Sequence, residues 1–269
     1  MRIFDIKKIL LFSLLLFCSL ALPTQFKLWT HGFKLEKLYI PIAFSEKWER
    51  EPLLSKETLK AIFSQPFSFL GKGAQSYVFE SKDGDYVLKL FRFDSRRRRF
   101  WNRHEEGWQE KTALSLFRSA LLGWDHAREE TALLFLHLNL TSGELPGVTL
   151  KTPLGGTVEL SLDNYRFALQ RKAVSLKKAL EDSLCNGTLE EKMEAFSQLL
   201  EERTRKGIGN SDPSLWRNFG FIGEKAVEID FGNYIERPDF SSEKAREKEI
   251  ARYMMPFKKF CNDQRASKK

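Results

Sequence analysis

The sequence predicts an α+β domain in two lobes, a strand-rich part followed by a smaller helix-rich part. Three observations carry this. Short β-prone runs separated by Gly-rich or Asp-Gly turns fill residues 67–93 and 147–174. Apolar residues at helical spacing dominate from Ser175 to Lys206. One strand pair, Phe219–Phe221 with Ala226–Ile229, breaks up the second part. At 269 residues the chain is long enough to bury such a core.

A hydrophobic helix is predicted ahead of the domain. Arg2, Lys7 and Lys8 precede an apolar run from Ile9 to Leu22 that only Ser13 and Ser19 interrupt. The run is shorter than the roughly 20 residues of a spanning helix. It reads as a cleaved secretory signal, with Ser19 and Ala21 as the small residues, or as an uncleaved anchor extended by Pro23 to Trp29. By the positive-inside rule an anchor leaves the N-terminus cytoplasmic and the body on the other side. The predicted location is membrane-associated, or secreted or periplasmic after cleavage. Residues 1–23 form this segment, 24–65 an extension, 66–174 the strand-rich lobe and 175–269 the helical lobe with a basic tail.

The elements follow in order. Ser55 caps a short helix to Phe63 with Leu59, Ile62 and Phe63 on its apolar face. Three strands follow, with the hairpin turn Lys82-Asp83-Gly84-Asp85 before Tyr86–Phe91. Residues 104–140 are helical in pattern, first through Ala113, Leu114, Phe117 and Leu121, then through Leu133, Leu134 and Leu136. Gly155-Gly156 turns Val148–Leu150 into Val158–Leu160, and Tyr165–Gln170 is a further strand. Ser175–Leu184 is a helix. Thr188 to Lys206 is the clearest one, with Thr188 and Glu191 as a reciprocal cap and Gly207 as its stop.

Composition excludes several classes. A 42% hydrophobic, 30% charged chain is no multi-span membrane protein, and 3 Cys do not make a disulfide scaffold. The sequence leaves open whether Cys185 and Cys261 pair. Asn139-Leu140-Thr141 and Asn186-Gly187-Thr188 match the glycosylation pattern. The net charge of +8 divides into two patches: Arg92–Arg103, with six Arg and one Asp, and Phe257–Lys269, with five Lys or Arg and one Asp. The remainder is near neutral. The run Arg96–Arg99 with Phe100 and Trp101 suits phosphate or an anionic membrane face, but nothing else resembles a nucleic-acid module, so nucleic acid is not an expected partner.

Four features carry chemistry in combination. Gly71-Lys72-Gly73-Ala74-Gln75-Ser76-Tyr77-Val78 places two glycines between strands, where backbone N–H groups can approach a phosphate. Lys89 sits inside an apolar strand, a costly place for a cation without a carboxylate or phosphate. Asp212 and Asn218 follow the helix that ends at Gly207. Asp230-Phe231-Gly232 closes the last hairpin, and Asn and Asp oxygens brought together there suit Mg²⁺.

On these residues the chain resembles the protein-kinase-like superfamily over roughly residues 66–233. Gly71, Gly73, Ser76 and Val78 look like its phosphate loop, and Val87-Leu88-Lys89 like its third-strand Lys motif. The resemblance implies an α+β kinase-like fold with a reduced C-lobe, binding ATP and Mg²⁺. It implies that Glu130 pairs with Lys89. Glu129 is a near-equal alternative, and Glu105, Glu106 and Glu110 stay open. Gln170 to Ala173, with Lys172, would be the hinge that meets adenine, Asp212 the catalytic carboxylate, and Asn218 and Asp230 the metal ligands.

The implied activity is transfer of the γ-phosphate of ATP to a hydroxyl of a small or lipid-linked acceptor near a membrane. The chain is similar in this to bacterial small-substrate kinases, such as those of lipopolysaccharide core sugars. Asn210-Ser211 stand where the family has His-Arg, Asn218 lies six rather than five positions after Asp212, no Ala-Pro-Glu follows, and 37 residues remain after Gly232. These departures motivate the alternative, an inactive pseudokinase that binds nucleotide or a partner protein.

Overall fold

The computed structural model describes residues 22, 24–40, 42–93 and 108–267. The run Ile9–Leu22 apart from Leu22, the cluster Arg96–Trp101 and the residues Glu105 and Glu106 lie outside them. Among the described residues no helix is long and apolar enough to cross a membrane.

Helix α1 (Lys56–Phe63) starts where predicted, because the Ser55 hydroxyl accepts from the Thr58 N–H at 3.2 Å. Strands β1 (Phe67–Lys72), β2 (Ser76–Ser81) and β3 (Tyr86–Phe91) form an antiparallel meander. The β2–β3 turn is set by Asp83, which accepts from the Ser81 hydroxyl and the Asp85 N–H, with Gly84 at φ +81°. Helix α2 (Trp108–His126) and a helical turn, Arg128–Thr131, lead to β4 (Leu133–His137). Strands β5 (Gly147–Lys151), β6 (Thr157–Ser161) and β7 (Phe167–Arg171) complete one sheet in the order β4-β7-β3-β2-β1-β5-β6. Neighbours in it are antiparallel except β1 and β5.

The expected helix through Leu133, Leu134 and Leu136 is thus a strand. A short apolar run fits a buried strand as well as a helix. Ala132, at φ +53°, ends the preceding turn, and pairing with β7 then decides the matter.

The second part begins with β8 (Val174–Ser175), α3 (Leu176–Asn186) and α4 (Leu189–Arg205). The reciprocal cap at Thr188 is absent. Its backbone, at φ −99° and ψ 23°, is not the extended cap geometry, and its N–H already closes α3 on the Ser183 carbonyl at 3.1 Å. Then come β9 (Ile208–Asn210), β10 (Phe219–Ile222), β11 (Lys225–Glu228), β12 (Tyr234–Glu236) and α5 (Glu243–Ser267). Most of the basic tail is therefore the end of α5, whose apolar residues Tyr253, Phe257 and Cys261 are buried against α3, α4 and β10. Cys185 is exposed. The sequon Asn139 is structural: its buried amide donates to the Ser45 carbonyl at 3.0 Å and accepts the Ser45 N–H at 3.2 Å.

Three cores result. One lies under the sheet around Phe67, Phe79, Leu150 and Phe167. Another joins Phe196, Phe219 and Tyr253 in the helical part. Between them, Phe117, Ala120 and Trp124 of α2 pack with Leu133, Ile208, Phe231 and Tyr234. The chain passes from β7 to the helical part over Gly220, where a Cβ would lie 2.5 Å from the Val174 carbonyl oxygen and 3.0 Å from the Ala173 Cβ. Gly220→Ala is expected to cost about 1–3 kcal/mol, because the obstruction is backbone. An unchanged midpoint in chemical denaturation would contradict this packing.

Candidate active site

The cleft is built by β3 on one side and the β9–β10 and β11–β12 connections on the other. Lys89 is central in the sheet, opposite Val78 on β2 and Ala168 on β7. Its ammonium donates to the Ile229 carbonyl and lies 5.3 Å from the Phe231 ring centroid. Burial pushes the Lys89 pKa down, and the negative charge of Asp230 opposes that shift.

Asn218 ties the two connections together. Its carbonyl accepts the Ile229 N–H at 2.6 Å and the Asp230 N–H at 3.3 Å. Its side-chain amide donates to the Asp212 carbonyl at 3.2 Å. Asn218 is fully buried, yet its Oδ1 has no hydrogen-bond partner. An orphaned acceptor there costs free energy unless a cation or donor meets it.

The Asp212 carboxylate accepts the Ser214 N–H at 3.0 Å. Burial raises its pKa, but Ser214, the Arg217 charge and the Asn218 amide outweigh burial and hold it below the ordinary carboxylate value. Asp230 accepts the Gly232 N–H at 3.1 Å, which forms the turn.

The structure therefore brings Asp230 near Lys89, and Asn218 holds the backbones of both Asp230 and Asp212. It does not bring Glu130 to Lys89. Glu130 is buried, its Oε1 takes Lys206, and its Oε2 has no hydrogen-bond partner. Glu129 is exposed and pairs with Lys225 at 3.2 Å. The Arg128–Thr131 turn packs against β11, so Lys225 of β11 and Lys206, just past α4, reach these carboxylates.

The Gln170 side chain is buried and donates to the Thr131 carbonyl at 2.6 Å, while Lys172 pairs with Glu80. Both side chains are engaged within the strand-rich lobe.

Neither Gly71 nor Gly73 has positive φ. A Cβ on Gly71 would meet nothing within 4 Å, so the space over this turn is open. Ser76 and Val78 begin β2 beside it, opposite Phe91 and Lys89. Gln75 reaches across the cleft and donates to the Gly232 carbonyl at 2.9 Å. A Cβ on Gly232 would collide with it, so the glycine admits this contact.

Sequence reasoning missed the supports. Asn210 donates to Glu228 at 2.8 Å and to the Asp230 carbonyl at 3.1 Å, and accepts the Asp212 N–H at 2.9 Å. Glu228 also accepts both Arg203 contacts at 2.8 Å and the Tyr234 hydroxyl at 2.8 Å. Arg203 reaches Glu249 at 2.9 Å. Ser119 of α2 donates to the Phe231 carbonyl and accepts the Tyr234 N–H, each at 2.6 Å. One signal was available: Arg203 continues the apolar face of Phe196, Leu199 and Leu200 and so required buried carboxylates.

Among the described residues no three His, Cys, Asp or Glu side chains form a metal cage. The cleft offers instead Asp230 and the orphaned Asn218 oxygen. These are hard oxygen donors, and such a pair fits Mg²⁺, which keeps waters and phosphate oxygens as its other ligands.

No protein-family model matches the chain, and no curated protein matches it. Among solved structures it is similar to those of kinases. One is the bifunctional kinase-methyltransferase WbdD, with 16% identity, 61% of this chain and 31% of that chain covered, and a TM-score of 0.32. Another is the ROP18 kinase domain in complex with AMP-PNP and sucrose, with 17% identity, coverage of 62% and 51%, and a TM-score of 0.35. The match spans about a third to a half of those chains. Likeness at these TM-scores assigns neither activity nor ligand to this chain.

Proposed function

We propose that the cleft binds a nucleotide with Mg²⁺ and transfers its γ-phosphoryl group to a hydroxyl, as a kinase-like phosphotransferase. The observation that carries this is the buried, unpartnered side-chain oxygen of Asn218, whose backbone carbonyl holds the Asp230 N–H, together with the desolvated Lys89 ammonium. A cation and a polyphosphate would satisfy all three groups at once.

The division of labour follows from the reaction. Lys89 offers its ammonium to phosphate oxygens. Space beside Gly71 is open for a phosphate to approach the backbone, while the Gly73 N–H donates to the Ser76 carbonyl at 2.9 Å. Asn218 and Asp230 would hold Mg²⁺, which neutralises phosphate charge when bound. Asp212, kept ionised by its hydrogen bonds, orients the acceptor hydroxyl and takes its proton as the new O–P bond forms and the bond to the leaving ADP breaks.

The proposed acceptor is a small or lipid-linked hydroxyl compound at a membrane. The apolar run Ile9–Leu22 supports that setting. A second reading, a nucleotide-binding module without turnover, draws on the pairing of Glu130 with Lys206 in place of Lys89.

Thermal unfolding with Mg·ATP, followed by an ATP-turnover assay, tests both readings. Saturation at 100 times the dissociation constant adds about 2.7 kcal/mol of stability. Asp212→Ala is expected to keep that gain and lose turnover by about 100-fold or more. No stabilisation of the wild type at millimolar Mg·ATP would sink both readings. Stabilisation without turnover would select the second.

A further inference from the structure

We propose that the outer face of the N-terminal extension docks on an anionic lipid bilayer through Leu22, Phe26 and Trp29. Leu22 and residues 24–29 are helical. Leu22, Phe26 and Trp29 are spaced i, i+4, i+7, the spacing of a stripe that ordinarily faces a core. Here they are 60%, 57% and 63% exposed, and Leu28 beside them is 62% exposed.

The chain just after the stripe is fixed to the strand-rich lobe. The Tyr77 hydroxyl donates to the Gly32 carbonyl at 2.7 Å. Phe33 packs edge-on against Tyr77 and Phe79 at 4.9 and 5.8 Å. The Arg166 guanidinium holds the Ile40 and Ile42 carbonyls at 2.8 and 2.6 Å.

Two observations identify the occupant. The first is charge. Lys72 Nζ, Lys27 Cγ and Lys37 Nζ lie 3.7, 3.8 and 4.0 Å from the position a Cβ would take on Gly32. Three lysines therefore surround Gly32, three residues after the stripe, and the Lys37 ammonium donates to the Gly32 carbonyl at 3.3 Å. Glu36 is the acidic residue within 22–40 and pairs with Lys34 at 3.3 Å. The second is continuity: the apolar run Ile9–Leu22 leads straight into the stripe. An exposed Trp and Phe with apolar chain on one side and lysines on the other match the headgroup boundary of a bilayer. A long lysine stem such as that of Lys27 lets the ammonium reach anionic headgroups from an apolar surface.

Docking has a consequence for the cleft. Lys72 stands between Gly71 and Gly73, so the Gly-rich turn comes to the lipid surface with the stripe. This deepens the reading of a lipid-linked acceptor, although the docking itself depends on no nucleotide chemistry.

The test uses the full chain with vesicles of phosphatidylcholine and phosphatidylglycerol, with and without brominated acyl chains. The difference in emission between wild type and Trp29→Phe reports Trp29 alone. That emission is expected to be quenched by brominated lipid and shielded from aqueous iodide. The quenching should weaken as salt screens the lysines and in pure phosphatidylcholine. Lys27→Gln should lower vesicle partition through this face by about fivefold. Phe26→Trp placed in the Trp29→Phe background gives an independent probe of the stripe. Quenching by iodide and not by brominated lipid would overturn the proposal. Shielding from both would overturn it as well, marking a second copy or another protein on the stripe. No readout involves nucleotide, so failure here is separable from failure of the phosphotransfer reading.

Discussion

Glu228→Gln is expected to destabilise the fold by about 3–5 kcal/mol and to lower Tm on the order of 10 °C. The glutamine keeps the shape of the side chain and removes its charge. Arg203, Glu228 and Glu249 are buried, and Arg252 closes the group at 3.4 Å from Glu249. Two cations thus balance two carboxylates, with Arg252 at the rim. Losing the Glu228 charge leaves Arg203 with Glu249 alone, which Arg252 already shares. The remaining carboxylate does not compensate for the desolvation of a guanidinium. The damage should reach the cleft too, because the Glu228 oxygen that holds Asn210 also fixes Asn210 against Asp212 and Asp230. The control is the exposed Lys178–Asp182 pair at 2.6 Å, whose loss should leave stability nearly unchanged because water screens it. Equal effects of the two variants in chemical denaturation would refute a structural role for the buried network.

Asp230→Asn is expected to remove the Mg²⁺-dependent part of nucleotide stabilisation, on the order of 2–3 kcal/mol near saturation. The substitution keeps an oxygen to accept the Gly232 N–H, so the turn itself should survive. What disappears is the carboxylate whose charge acts on Lys89, which is also the anionic ligand proposed for Mg²⁺. In the wild type, chelating Mg²⁺ should abolish most of the nucleotide-induced rise in Tm. In Asp230→Asn the chelator should change little, because that contribution is already absent. Lys89 loses the charge that partly offset its burial, so its pKa should fall further in the variant. A full Mg²⁺-dependent shift in Asp230→Asn would remove Asp230 from the proposed metal site.

The parts legible in the sequence share a physical basis: they are local. The Ser55 cap, the Asp83-Gly84 hairpin, the Gly207 helix stop and most strands depend on a few consecutive residues whose preferences agree. The order of Gly71, Gly73, Lys89, Asp212, Asn218 and Asp230 was also readable, and Asn218 does bond the Asp212 and Asp230 backbones while Asp230 stands near Lys89. Where local preference was ambiguous, reading failed. Leu133–His137 could satisfy its apolar run in either form, and the free edge of β7 settled it as strand. Thr188 and Glu191 had the letters of a cap, but the tight α3–α4 connection denied Thr188 the required backbone.

Pairing over distance was not legible at all. Which cation meets Glu130 depends on where the Arg128–Thr131 turn lands, and Lys206 reaches it from 76 positions away. Asn210 looked like a departure from a motif, and its three side-chain hydrogen bonds exist only once β9, β11 and the Asp230 turn are assembled. By itself the sequence determined the two-part α+β layout, the chemical types that could form a site, and the separation of its charge into two patches. Tertiary structure alone decided the partners: Lys89 with the Ile229 carbonyl and Asp230, Glu130 with Lys206, and Arg203 with Glu228 and Glu249. The reason is that a buried charge takes whichever counter-charge packing brings within reach, and spacing along the chain carries little information about that.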